Sequence, residues 1–395
     1  MLFLINFLFL IFISFAFYSF SKIILKKFSA DNLLEDYLFH SACGIIIISA
    51  IIIIAGFTNF LYKELIYTIV SIQIIAALFN TQNIENLVKY LFTKFQYFYF
   101  KTKILTLLLL LNIILHLPGA LAPVVSLDGL TYHLTLPKLY LQAHKIYSVN
   151  FLFYSFFPQF SETLFLYGLS LASPEFAQIF HYFFYVLTLL LICLFSQKII
   201  KNIFFAILTA LAFASTPAIN RLAGYIKTEF ILIFFICFSL YYLFLFFQTS
   251  EKKHLFYSAI FSAIANNVKY HGLIHSLIFI AILMFLFASK KIKIKTAVCA
   301  VFLLLLLSSP FYIKNYLDIG NPFYPFLCKY FNIKNIVSDE KNETQYIQEK
   351  SASMVRHFSE KKITGSPVIS AIKFPYIVSI KFQTYDFWKY ALSPL

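Results

Sequence analysis

Residues 229–248 read EFILIFFICFSLYYLFLFFQ, twenty positions with one acid at the first and no other charge. About 20 consecutive apolar residues are what an α-helix needs to cross the hydrocarbon of a bilayer. Working outward, comparable runs lie at 2–20, 38–57, 64–80 and 104–122. Others follow at 176–197, 203–219, 255–268, 271–288 and 296–313. The reading is an all-α, polytopic bundle of about ten spans with a long first outer loop carrying interfacial helices. The run at 255–268 is the weakest, being short and closed by Asn266, Asn267 and Lys269.

Composition agrees. Of 395 residues, 61% are hydrophobic and 12% charged, against about 45–50% and about 25% in soluble domains. This excludes an ordinary soluble domain. The 32 basic and 17 acidic residues give a net charge of +15, but no nucleic-acid recognition motif accompanies it. The lysines fall between the apolar runs, as cytoplasmic loops require. Clusters at Lys22, Lys26 and Lys27, at Lys89 to Lys103, at Lys198 and Lys201, at Lys252 and Lys253, and at Lys290 to Lys295 share one side if ten spans alternate.

An eleventh span at 157–172 would reverse every later cluster, so that stretch is expected to be interfacial or re-entrant. The polar start Pro158, Gln159, Ser161 and Glu162 suits the headgroup level. Residues 1–20 lack a preceding charge and a cleavage site, and are read as a retained helix. The five cysteines show no metal or disulfide spacing.

Four segments meet on the face opposite the lysine clusters: 121–157, 217–229, 266–272 and 312 onward. The first far exceeds an ordinary connection between helices and is expected to be functional. It carries Asp128, the only acid between Glu85 and Glu162. A carboxylate at an interface can act as a general base, bind a metal, or cap the helix that follows.

The residues around Asp128 choose among these. Leu127-Asp128-Gly129-Leu130-Thr131-Tyr132-His133-Leu134, Pro137-Lys138-Leu139-Tyr140 and Tyr154-Ser155-Phe156-Phe157-Pro158-Gln159 resemble the first outer loop of GT-C membrane glycosyltransferases, protein-mannosyltransferase-like enzymes that use polyprenyl-phosphate sugars. Pro217 to Phe230 resembles that group's second outer segment. Lys269-Tyr270-His271-Gly272 is similar to its Lys-Tyr-x-Gly turn, and Lys314-Asn315 with Gly320 to Pro325 resembles its Arg-Asn-x-Gly-Asn-Pro-x-Tyr-Pro stretch. The resemblance runs from about Pro118 to Pro325.

It implies inverting transfer of a sugar from a polyprenyl phosphate to a hydroxyl of a glycan, lipid or protein acceptor, with no nucleic-acid partner. Asp128 would be the base. Glu229 would stand where the group usually has an aspartate, making the catalytic pair Asp128 and Glu229. Donor phosphate and sugar would meet Lys138, Arg221, Lys227, Lys269, Tyr132 and His133, with Lys269 and Arg221 the leading cations and Lys314 and His271 further candidates. His133, five residues after Asp128, is expected to follow its face while Tyr132 turns aside.

No cofactor is required on this reading, and a divalent cation held by Asp128, His133, Glu162 and Glu229 is the alternative. The expected location is a bacterial cytoplasmic (inner) membrane, multi-pass, with the site facing the periplasm or outside. Expected domains are N-terminal helices at 1–103, a catalytic core at 104–325 and a tail at 326–395, with an amphipathic helix at 351–362 and a chain that ends early. The competing readings are a lipid-linked saccharide transporter or flippase, and an inactive truncated relative. A transporter calls for mid-membrane charges and paired halves, which the sequence lacks.

Overall fold

The computed structural model describes residues 2–331 apart from 29, 31, 150, 151 and 329. The expected amphipathic helix at 351–362, and the tail beyond 331, lie outside the described residues. All regular structure among the described residues is helical: α1 Leu2–Ile24, α2 Leu33–Phe57, α3 Lys63–Phe79, α4 Thr81–Leu121, α5 Thr135–Ala143, α6 Phe160–Leu171 and α7 Pro174–Ile200. These continue as α8 Ile203–Ala214, α9 Pro217–Leu222, α10 Glu229–Thr249, α11 Lys252–Val268, α12 His271–Ala288 and α13 Ile294–Ile319.

The boundaries follow local chemistry. Asn32 and Asn202 start α2 and α8 by accepting the amide protons of Leu34 and Phe204, satisfying donors that a first turn leaves free. Pro174 opens α7, where its missing N–H costs nothing. Gly320 ends α13 with φ 78°, a left-handed conformation that glycine adopts without strain.

Every predicted span falls on a helix or a pair of helices, but length and apolarity do not confirm the count of ten. Among the described residues seven helices are long and apolar enough to cross a membrane, or eight if one bent pair is a single span. The bent pair is α3 with Thr81–Tyr97, turned by 72°. Helix α8, predicted as 203–219, stops after 12 residues, about 18 Å against the ~30 Å of a hydrocarbon core. Helix α11 has 17 residues and a polar end. The fold is that of a multi-pass membrane protein. The predicted boundary at 103/104 falls just after the backbone break in α4 at Thr102, φ −145° and ψ 48°.

Burial separates central from peripheral helices. Two-thirds of the apolar window is inside the protein for α2 and α7, but only 17% for Tyr99–Leu121. The centre is aromatic: Phe17, Phe165, Tyr167, Phe180, Phe184, Phe234 and Phe235 are fully buried. Helix α6 lies among them. With 12 residues α6 is too short to span, as expected of residues 157–172, and its Ser161, Glu162 and Thr163 are buried against other helices.

The helix ends segregate. At one end Tyr90 bonds to Asn32 at 2.8 Å and Phe28 meets Tyr257 edge-on. At the other, Asn6 holds the Leu121 carbonyl at 3.0 Å, and the backbones of Leu61 and His144, and of Ile146 and Gly56, are bonded. The second end carries Asp128.

Candidate active site

Helix α4 contains Pro118, which cannot donate to the turn before it. Gln178 of α7 holds the end of this helix from the side, its Nε2 2.9, 3.2 and 3.0 Å from the carbonyl oxygens of Gly119, Ala120 and Ala122. The chain leaves α4 at a fixed point, and Asp128 follows within two turns' length.

Asp128 does not cap a helix. Its backbone is already helical, its carboxylate makes no capping bond, and the Gly129 amide donates to Ser126 Oγ at 3.2 Å instead. Residues Gly129–His133 form one wide π-type turn, closed by the Leu134 amide on the Gly129 carbonyl at 2.9 Å. Such turns recur where side chains must be re-aimed at a functional site. Gly129 has a second use. A Cβ there would lie 2.4 Å from Ile226 Cγ2, so only glycine lets the 223–228 turn come this close. The residue after Ile226 is Lys227, and its ammonium pairs with Asp128 Oδ2.

Glu229 opens α10. Its Oε2 accepts the Thr228 amide at 3.0 Å, and its Oε1 accepts from Lys269 Nζ at 2.8 Å. The site thus holds two lysine–carboxylate pairs. Asp128 and Lys227 are the more buried, with side chains 8% and 20% exposed, against 31% and 33% for Glu229 and Lys269.

The π turn decides where the next two residues go. His133 is buried and meets Glu162 of α6, with Nδ1 2.7 Å from Oε1. Tyr132, expected to turn aside, is the residue that Asp128, Glu162 and Glu229 all influence. Burial, then these three negative charges, push its hydroxyl far above the usual tyrosine range. Its ring lies flat on Tyr154, centroids 4.0 Å apart and planes 7° apart. Burial and Asp128 push the Tyr154 hydroxyl up to about 12.

Tyr154 is held in place from far along the chain. The Phe156 carbonyl accepts from Asn315 Nδ2 at 2.5 Å and from the Tyr270 hydroxyl at 3.2 Å, and Tyr270 also reaches the Tyr324 carbonyl at 2.8 Å. Gln159 Nε2 donates to the Ser155 carbonyl while its Oε1 accepts from Tyr140. The Lys-Tyr turn and the Asn-Pro stretch therefore clasp the first loop.

The remaining predicted residues divide. Arg221 is exposed on the short helix α9, and Lys138 is exposed on α5 beyond His133. His271, at the start of α12, is also exposed. Lys314 is engaged inside the protein. It is buried, bonded to Ser148 Oγ at 2.7 Å and the Ser155 carbonyl at 3.2 Å, with Asp318 at 3.5 Å. Glu162, expected either at the headgroup level or as a cation ligand beside His133, pairs with His133 directly. One participant was not foreseen. His181, buried on α7, accepts the Phe230 amide at 3.4 Å and steadies the start of α10; no local pattern marks it. Among the described residues no group of three or more His, Cys, Asp or Glu is arranged to hold a metal ion.

Residues 153–319 match the family model described as dolichyl-phosphate-mannose-protein mannosyltransferase. Over that stretch, less than half of its length, the chain is similar to this GT-C family. The expected GT-C resemblance is thereby met over that stretch, and the matched family is one of glycosyltransferases. The mannosyltransferase-family segment contains Tyr154, Glu162, Lys227, Glu229, Lys269 and Asn315. The loop with Asp128, Tyr132 and His133 precedes it and is tied to it by the Asp128–Lys227 and His133–Glu162 pairs. No curated protein and no solved structure matches the chain.

Proposed function

We propose that the protein transfers a sugar from a polyprenyl-phosphate donor to an acceptor hydroxyl, with inversion, at the outer face of a bacterial cytoplasmic membrane. The observation that carries this reading is the pairing of two acids with two lysines, Asp128 with Lys227 and Glu229 with Lys269, beside an aromatic wall at one end of the bundle. A lysine that already holds a carboxylate is equipped to hold a phosphate.

In the step, Asp128 accepts the proton of the acceptor hydroxyl as its oxygen bonds to the anomeric carbon from the face opposite the phosphate. The bond from that carbon to the phosphate oxygen breaks, and the electron pair leaves on the phosphate. Lys227 and Lys269 stabilise the charge that grows there. A positioned base of this kind contributes about 10²–10⁴-fold. Glu229 keeps Lys269 in place and serves as the second acid. Tyr132, with His133 behind it, lines the sugar side, and Arg221 and Lys138 lie where headgroups and the donor's charge approach. Side chains carry the whole step, and a divalent cation is an arm of the assay.

The family description makes a mannosyl donor and a protein acceptor the first pair to try, with glycan and lipid acceptors beside them. The test is transfer of radiolabelled sugar from a panel of polyprenyl-phosphate sugars in membranes holding wild type, Asp128→Asn or Glu229→Gln, with EDTA and with added magnesium. Transfer by wild type and a loss of about a hundredfold or more in Asp128→Asn are expected. Undiminished transfer by Asp128→Asn overturns the base assignment. No transfer by wild type, with every donor and acceptor, moves a lipid-linked saccharide transporter or an inactive relative ahead.

A further inference from the structure

We propose that Lys227 is a cover on Asp128 that the donor's phosphate displaces, so that the base is exposed only once the donor is bound. This rests on the transferase reading above. As the chain stands, the Lys227 ammonium sits on Asp128 Oδ2, where the acceptor's O–H would have to approach. The two partners differ in freedom. Asp128 is fixed in a helical backbone and its side chain is almost wholly enclosed, whereas the Lys227 side chain is the more exposed and springs from the turn between α9 and α10. The neighbours Ile226 and Thr228 are buried. Lys227 can therefore swing its long side chain while its backbone stays put.

Lys269 is committed in the same way to Glu229. An arriving phosphate thus finds both lysines occupied and must compete with a carboxylate for each. It offers more acceptor oxygens than a carboxylate, and ammonium groups bind it as point charges. Lys227 is the lysine whose departure has a chemical consequence. Its Nζ passes from Asp128 Oδ2 to a phosphate oxygen, one ion pair breaks and one forms, and no proton moves. Asp128 is left beside the acceptor site with its lone pairs free. Binding is then ordered, donor before acceptor, and the acceptor hydroxyl is not activated in the empty enzyme.

The test is a double-mutant cycle on the full chain in nanodiscs, with a fluorescent polyprenyl phosphate as the probe. Lys227→Gln is expected to weaken binding about tenfold or more, and Lys227→Arg to retain most of it. Asp128→Asn, which frees Lys227 in advance, is expected to tighten binding about tenfold. In the Lys227→Gln background Asp128→Asn is expected to gain nothing, because there is no cover left to release. An equal gain in both backgrounds means that Asp128 merely repels the phosphate and overturns the exchange, while leaving the transferase reading standing. The exchange is likewise overturned, and the transferase reading kept, if Asp128→Asn tightens binding in neither background. Failure of wild type to bind the probe overturns the exchange and the transferase reading together.

Discussion

Tyr154 lies parallel to Tyr132, ring on ring at 4.0 Å, although 22 positions separate them in the chain. The stack joins a residue that feels the charge of three carboxylates to the loop that Asn315 and Tyr270 hold. Stacked aromatic pairs contribute about 0.5–1.5 kcal/mol beyond burial. Tyr154→Ala is expected to lower stability by about that amount or more and to cut sugar transfer about tenfold by loosening Tyr132. Tyr154→Phe keeps the ring and is expected to stay close to wild type in both. Thermal unfolding and initial transfer rates, measured on the same preparations, decide it.

The same residue sets an alkaline signature. The Tyr154 hydroxyl is held in its protonated form up to about pH 12, above its ordinary value near 10, by burial and by Asp128. A folded-state value raised in this way gives stability that is fully present below about pH 10 and lost as pH rises toward about 12. Tyr154→Phe is expected to show a shallower fall in melting temperature across that window. Near neutral pH the hydroxyl does not titrate, so the shape of the pH–rate profile should not change.

Lys269 is the more exposed of the two paired lysines. Lys269→Gln is expected to raise the KM for the donor by about 10–100-fold, the loss that follows from a charge-assisted hydrogen bond worth about 1.5–3 kcal/mol. The KM for the acceptor should hardly move. A fall in kcat with unchanged donor KM would show that Lys269 acts on the departing phosphate alone.

His133 and Glu162 form the most enclosed acid–base pair at the site, with side chains 3% and 6% exposed. His133→Ala leaves the Glu162 carboxylate buried with its partner gone, and is expected to destabilise the protein by about 3–5 kcal/mol. His133→Ala with Glu162→Leu removes both members and should recover much of the loss. Melting temperatures of the two single variants and the double variant supply the answer.

The sequence carried the fold class in the lengths of its apolar runs, because the bilayer imposes that length directly. Among the described residues, length and apolarity confirm seven or eight of the ten predicted crossings. A run such as 203–219 is apolar throughout, but its helix ends at Ala214, before the chain turns into α9 at Pro217. Asp128, Lys227, Glu229 and Lys269 were all legible as residues on one face, since acids are scarce and each sits beside an apolar run. Their pairing was not. Which lysine meets which acid depends on how closely the 223–228 turn approaches the first loop, and that is set by the absence of a side chain at Gly129. The direct pairing of Glu162 was not legible either, because its partner lies 29 positions back, on a π turn that no short pattern announces.

Asn315 and the Phe156 carbonyl that it holds are 159 positions apart. During synthesis the loop that bears Asp128 is complete long before its clasp exists. Through the making of α7 to α11 the Tyr154 strip has neither Tyr270 nor Asn315 to hold it, and through α12 it still lacks Asn315. The end that carries Asp128 is therefore the last part of the bundle to close, and a chain halted before Asn315 is made lacks the clasp on its first loop.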